Sequence, residues 1–278
     1  MFKYLKKIIA ILLIIISYNI CYASASIDSF NTLNYVSVEN AQGSLSEQIK
    51  NANIGDKIIF GRYEQNNNIN DGMEPLEWIL LEKDYKHKTA ILITTYLIDC
   101  QRFNGFNENV TWETCTLREF MNNNMYSLMF NEKEKLSICP SKLSNSPNIF
   151  NSSYSGNDTI DNIYIPSIDD MYKYFYNPFV TIENRGLELL EMNSLRSAKG
   201  TLYAISKGLR TTSKNNSKMA PANYFLRTTG LRGKRKWYND VYCSFYQSYV
   251  TELGQINPDG TGIHSADDGI RVMTKVYY

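Results

Sequence analysis

Histidine is almost missing from this chain. Among 278 residues only His87 and His264 occur. His87 stands in the charged turn "KDYKHK" and His264 in a Gly-rich loop, so no three-histidine metal site can be assembled. Charge of one sign is missing too. Lys and Arg number 29 against 28 Asp and Glu, a net charge of +1, which argues against a general nucleic-acid or membrane-surface role. Beyond Ile16 no apolar run approaches the roughly 20 residues that a membrane helix needs. Cysteine is scarce, with five in all, and no two of them have the close C-x-x-C spacing of a zinc site.

What is present begins at the N-terminus. Lys3, Lys6 and Lys7 precede an unbroken apolar run, Ile8 to Ile16, and the small-residue pattern Cys21-Tyr22-Ala23-Ser24-Ala25 follows. That is the three-part plan of a secretory signal peptide, with cleavage expected after Ala23. An uncleaved membrane anchor is the rival reading. A lipid anchor on Cys21 is disfavoured by Tyr18, Asn19 and Ile20. The expected location is therefore outside the cytoplasm: periplasmic, cell-surface or secreted. Residues 24–53 read as a polar N-terminal extension with one helix pattern at "LSEQIKNA", and residues 54–278 as a single domain. The wealth of Asn, Ile, Lys and Tyr reads as the bias of an A/T-rich, bacterial genome. Aromatics make up 13% of the chain, enough to furnish a core.

Once Cys21 is removed the chain keeps Cys100, Cys115, Cys139 and Cys243. An even count in an exported chain favours disulfides. A clip from Cys100 to Cys115 is expected, closing a loop of roughly 15 residues and contributing on the order of 3 kcal/mol in the chain-entropy model. Cys139 with Cys243 is the weaker pairing. The competing view of Cys115 is a free thiol at a helix start, where it would be activated.

Hydrophobic periodicity gives an outline of the domain. "IGDKIIFGRYEQ", "EPLEWILLEKD" and "TAILITTYLI" read as three antiparallel strands joined by the turns "NNNINDG" and "DYKHK". Thr116 and Glu119 fit a capping box, followed by helical spacing from Leu117 to Leu128. "FNEKEKL" suggests a short helix capped by Asn131, and "DNIYIPSIDDMYKYF" a strand and then a helix capped by Ser167. "TLYAISKGL" is a further short amphipathic piece. From Tyr224 onward short strands and Gly-rich loops return. Strands, helices, strands describe an α+β domain and not a repeating βαβ one.

The blocks "IGDKIIFGRYEQ", "EPLEWILLE", "AILITTYLIDC", "VTWETCTLREFMN", "LYAISKG", "YFLRTTG" and "DDGIRV" together resemble an uncharacterised domain family of exported and surface proteins in bacteria. Members of that family resemble the C-type-lectin-like fold, in the branch of the formylglycine-generating enzymes. The resemblance spans roughly residues 54–278, and "VTWETCTLREFMN" is its most specific block. The family's aromatic pair before Leu-Arg corresponds to Tyr224 and Phe225, before Leu226 and Arg227. Its Gly-Val-Arg-Pro corresponds to Gly269, Ile270, Arg271 and Val272, with the proline absent. The resemblance implies a C-type-lectin-like domain of antiparallel strands and a few short helices. It does not imply the fold's oxygen-dependent chemistry, whose late cysteine pair or histidine cluster is not in the sequence.

Candidate sites follow. Arg232, Arg235, Lys236, Trp237 and Tyr238 in "GLRGKRKWYND" join cations to flat aromatic faces, a combination suited to a glycan or protein partner. Asp259, Asp267 and Asp268 in Gly-rich loops offer oxygen ligands for calcium, although Asp-Gly is equally a turn signal. No other cofactor is expected. Arg227 and Arg271 lie among apolar residues and are expected to be structural anchors, since a buried arginine must be paired. Glu77, beside Trp78, has no carboxylate partner legible in the sequence. The expected function is an exported binding module for a glycan or protein. The alternatives are an enzyme of unknown reaction that reuses the fold, and a structural module of the cell envelope.

Overall fold

The computed structural model describes residues 43–106, 108–176, 188–231, 233–237 and 240–278, with the side chains of 233–237 and 240–244 outside the description. The expected secretion signal and most of the N-terminal extension lie outside the described residues. Residues 44–278 form one compact unit. It begins ten residues before the boundary expected from sequence, because helix α1 (Leu45–Asn51) belongs to the domain. Ser44 and Glu47 close a capping box at its start. Ile49 is fully buried, and the Gln48 side chain pairs with both the N–H and the carbonyl of Ile59 (2.9 and 3.1 Å).

Two five-stranded sheets carry the core. In the first, β1 (Lys57–Tyr63), β2 (Glu74–Asp84) and β3 (Thr89–Thr94) form the expected meander. The C-terminal strand β14 (Met273–Tyr277) pairs antiparallel with β3, and β7 (Ile163–Tyr164) completes the sheet beyond it. In the second, β4 (Asp99–Cys100), β8 (Tyr224–Thr229), β11 (Tyr246–Val250), β12 (Ile256–Gly262) and β13 (Gly269–Ile270) lie in the order β12-β11-β8-β13-β4. Two hairpins stand apart, β5 (Ser141–Leu143) with β6 (Thr159–Asp161), and β9 (Gly233–Trp237) with β10 (Asp240–Ser244). Among the described strands pairing is antiparallel except between β13 and β8, and an isolated bridge between Leu97 and Gly200 is also parallel. With a few short helices added, this is a mixed α+β domain.

Alternation along β2 puts Leu76, Trp78 and Leu80 wholly inside. The Trp78 indole N–H donates to the Phe60 carbonyl at 2.6 Å, so this large apolar side chain leaves no polar atom unpaired in the core. The register of β1 against β2 slips between Ile59 and Arg62. Gly61 sits in that bulge at φ +69°, and a Cβ there would lie 2.6 Å from the Phe130 ring. Only glycine meets both demands.

The helices start where short polar residues can cap them, with one difference from the sequence reading. Helix α2 (Thr116–Phe120) is capped by Cys115, whose sulfur accepts from the Arg118 N–H. The expected Thr116–Glu119 box does not form. Thr116 is one residue too late to cap, and its hydroxyl accepts from the Gly105 N–H at 2.8 Å instead. A wider turn (Met121–Met125) then leads into α3 (Tyr126–Met129). Capping boxes at Asn131 and Ser167 begin α4 (Glu132–Lys135) and α5 (Ile168–Tyr174), and Thr201 caps α6 (Leu202–Ser206).

Both arginines expected to be anchors are buried, Arg227 at 5% and Arg271 at 2% exposure. Arg227 pairs with Asp170 at 3.0 Å and donates to the Ser144 carbonyl. Arg271 donates to the carbonyls of Thr94 and Arg196 and lies against the rings of Phe175 and Tyr224. Glu77 forms an ion pair with Lys57 at 2.8 Å. No helix among the described residues is long and apolar enough to cross a membrane.

Candidate functional site

Short strand β4 ends in a concave surface. It pairs with β13, Cys100 opposite Gly269 and Asp99 opposite Ile270. The segment that leaves β4 is stapled to helix α2. The Asn104 side chain accepts from the Thr116 N–H (3.0 Å), the Phe103 carbonyl from the Leu117 N–H (3.2 Å), and the Asn104 N–H donates to the Ile263 carbonyl (2.9 Å). Beneath it Phe103 is wholly buried, edge-on to Phe225 and tilted against Trp112. The result is a cleft of about 360 Å³. Cys100, Gln101 and Arg102 form one wall. Gly105 lies at the turn, Thr116, Leu117 and Phe120 come from α2, and Lys207 and Ala266 close the far side.

Polar groups around the cleft divide into spent and unspent. The Cys100 thiol donates to the Ala266 carbonyl at 3.2 Å. Asp99 accepts from the Tyr63 hydroxyl at 2.7 Å and from the Cys100 N–H. Asp267 accepts from Ser265 and lies 3.9 Å from Arg210. By contrast, Arg102 makes no hydrogen bond or ion pair among the described residues. Lys207 makes no ion pair within 4 Å there and stands over the Tyr203 ring at 5.8 Å.

Burial sets the electrostatics. It raises the Asp99 carboxyl above its ordinary range despite the Tyr63 hydroxyl and the Cys100 N–H. Asp268, 3% exposed, is pushed up to about 6 by burial and then by neighbouring Asp267, against the pull of its bonds to Ser265 and Asn223. The Cys100 thiol is pushed up to about 12 by burial and by Asp99, Asp268 and Asp267. Burial alone takes Cys115 to about 12.

The structure corrects the expected clip. Cys100 and Cys115 are both free thiols. Cys115 aims its sulfur into the first turn of its own helix, at the Arg118 N–H and the Trp112 carbonyl (3.4 and 3.5 Å), while Cys100 faces Ala266 across β4. An even cysteine count signals pairing only when the thiols have no other work, and one of these is a helix cap. Cys139 is free as well, and the Cys243 side chain lies outside the described residues. The reactive-thiol alternative also fails: Cys115 is buried, its sulfur is spent as the cap of α2, and burial pushes the thiol up. Alkylating the protein without reductant, before and after unfolding, tests this. Cys100 and Cys115 should resist labelling when folded and label fully when unfolded. A peptide map that shows the two joined would contradict it.

The other sequence-derived candidates fare unevenly. Arg235, Lys236 and Trp237 lie on β9, but their side chains, with Arg232 and Tyr238, lie outside the described residues. Asp259 accepts from the Asn151 amide at 3.4 Å. No group of three or more His, Cys, Asp or Glu among the described residues could hold a metal ion. Sequence reading missed Arg102, Thr116 and Lys207. The only signal in the sequence there is that Arg102 and Gly105 flank Phe103 and Asn104, both of which are buried.

A family model described as a domain of unknown function (DUF6273) matches residues 86–274. No curated protein and no solved structure matches the chain.

Proposed function

The chain belongs to that DUF6273 family, and on this premise we propose that it is an exported binding module built on a C-type-lectin-like plan, holding a glycan in the cleft beside β4. One observation carries the reading. The cleft sets unspent donors over an apolar floor, while its thiol is kept protonated and already bonded. Such a surface is suited to holding a ligand, because a few placed polar groups on an apolar lining give orientation without chemistry. The lectin-like plan is supported by the closure of the C-terminal strand β14 on the N-terminal meander. The basic and aromatic segment Gly230–Asp240 is a second proposed contact region.

Gly105 gives the test. A Cβ there would meet nothing nearer than the Thr116 hydroxyl at 3.8 Å, so Gly105→Phe should fill the cleft without disturbing the fold. On a glycan array, the full chain should give signals that Gly105→Phe loses. A blank array, or signals that survive the substitution, would overturn the reading.

A further inference from the structure

We propose that the cleft is an anion site, in which Arg102, Lys207 and the Thr116 hydroxyl receive a carboxylate, sulfate or phosphate group carried on a body the size of one sugar ring. This rests on the binding role argued above and adds the ligand's chemical class. The argument is an imbalance. Every carboxylate near the Cys100 wall has protein partners: Asp99 has Tyr63 and the Cys100 N–H, Asp267 has the Ser265 hydroxyl and Arg210, and Asp268 has the Asn223 side chain. The donors on the cleft lining do not. Arg102 has no partner among the described residues, and Lys207 makes no ion pair within 4 Å there: it stands over the Tyr203 ring and its charge bears on Asp99 and Cys100 only from a distance. The Thr116 oxygen accepts from Gly105, which leaves its own proton uncommitted there. Unpaired surface cations are commonplace, but these two stand in the wall of one cavity beside a free hydroxyl. Arginine in particular presents a planar fork that matches a carboxylate or sulfate.

Size and floor narrow the ligand further. About 360 Å³ lies at the low end of small-molecule sites, which run from about 300 to 1,000 Å³. Leu117 and Phe120 supply an apolar patch for the body of the ligand. An acidic monosaccharide has both parts, a ring with an apolar face and one anionic group. The acids behind the wall work against an anion, so the attraction must come from the two cations and should weaken as salt rises.

The probes are D-glucuronate and D-glucose, titrated into the full chain at matched ionic strength and followed by calorimetry. Wild type should bind glucuronate at least about tenfold more tightly than glucose, a preference of about 1.4 kcal/mol. In the double variant Arg102→Gln, Lys207→Gln, whose fold is checked by circular dichroism, the preference should shrink to about threefold or less. Equal affinity for the two sugars, no response to either, or a preference that survives the double variant would each refute the anion site. Gly105→Phe separates the two readings. If it removes array binding while the double variant does not, the cleft binds a ligand but not through an anion. If it leaves glucuronate binding intact, both readings fall.

Discussion

Replacing Arg196 by Met should cost the folded state about 3–5 kcal/mol, the usual loss when one partner of a buried pair is removed. Arg196 is fully buried. Its guanidinium pairs with Glu188 at 3.0 Å and donates to four carbonyls, those of Gly254, Phe175, Glu188 and Glu191. Methionine fits the volume but offers no donor. It would leave the Gly254 and Glu191 carbonyls without that donor, while the Phe175 carbonyl keeps Asn193 and the Glu188 carbonyl keeps the Glu191 N–H, and the 7%-exposed Glu188 carboxylate would have Asn193 as its remaining side-chain donor. Glu188→Gln is milder. The cation keeps its carbonyls, and a neutral acceptor replaces the carboxylate, so about 1–2 kcal/mol is expected from a weakened charge-assisted bond. Urea unfolding of the three proteins checks the order. Loss under about 1 kcal/mol in Arg196→Met, or a larger loss in Glu188→Gln, would show that the pair is not what ties this region down. The effect should reach further, because the Arg196 carbonyl also receives the Tyr224 hydroxyl (2.6 Å) and Arg271.

That network illustrates what could be read in advance. Arg227 and Arg271 stand out because each lies among apolar residues, Arg227 within β8 and Arg271 between β13 and β14, where a cation needs a reason to exist. Arg196 lies in "NSLRSAKG", a polar stretch where an arginine raises no question, and its burial follows only from distant segments folding over it. The same division holds for the elements. The meander β1–β3 and the caps at Asn131 and Ser167 depend on neighbours in sequence and were legible. The cap at α2 went to Cys115 and not to Thr116, because a sulfur can take that bond and because Gly105, eleven residues away, claimed the threonine hydroxyl. The cleft was hidden for the same reason. Its lining comes from β4, α2, the end of α6 and the loop before β13, segments up to 166 residues apart in the contact of Cys100 with Ala266.

Asp268→Asn should make the protein more stable at pH 8 and change it little at pH 4. Asp268 is buried and its carboxyl is raised from 3.8 to about 6. A raised carboxyl holds its proton more tightly when folded than when unfolded. The folded state therefore loses stability as pH climbs from 3.8 to 6, and above 6 it carries the full cost of a buried charge beside Asp267. At about 1.4 kcal/mol for each pH unit, that cost is at most about 3 kcal/mol. Asparagine keeps an oxygen for the Asn223 donor but adds an N–H₂ that needs acceptors, so a gain of about 1–2 kcal/mol is the fair expectation. Asp99 is raised as well, but it titrates in both proteins and drops out of the difference. Urea midpoints for wild type and variant at the two pH values decide the matter. A variant weaker than wild type at pH 8, or a gain equal at both pH values, would mean that charge burial is not the cause. Strain of this kind is retained where a site uses it. Asp268 is one of the acids that bear on Cys100 in the cleft wall, so the same substitution removes a negative charge from behind the proposed anion site. Glucuronate should then bind Asp268→Asn more tightly than wild type at pH 8, with the advantage fading below pH 6 as wild type takes up its proton.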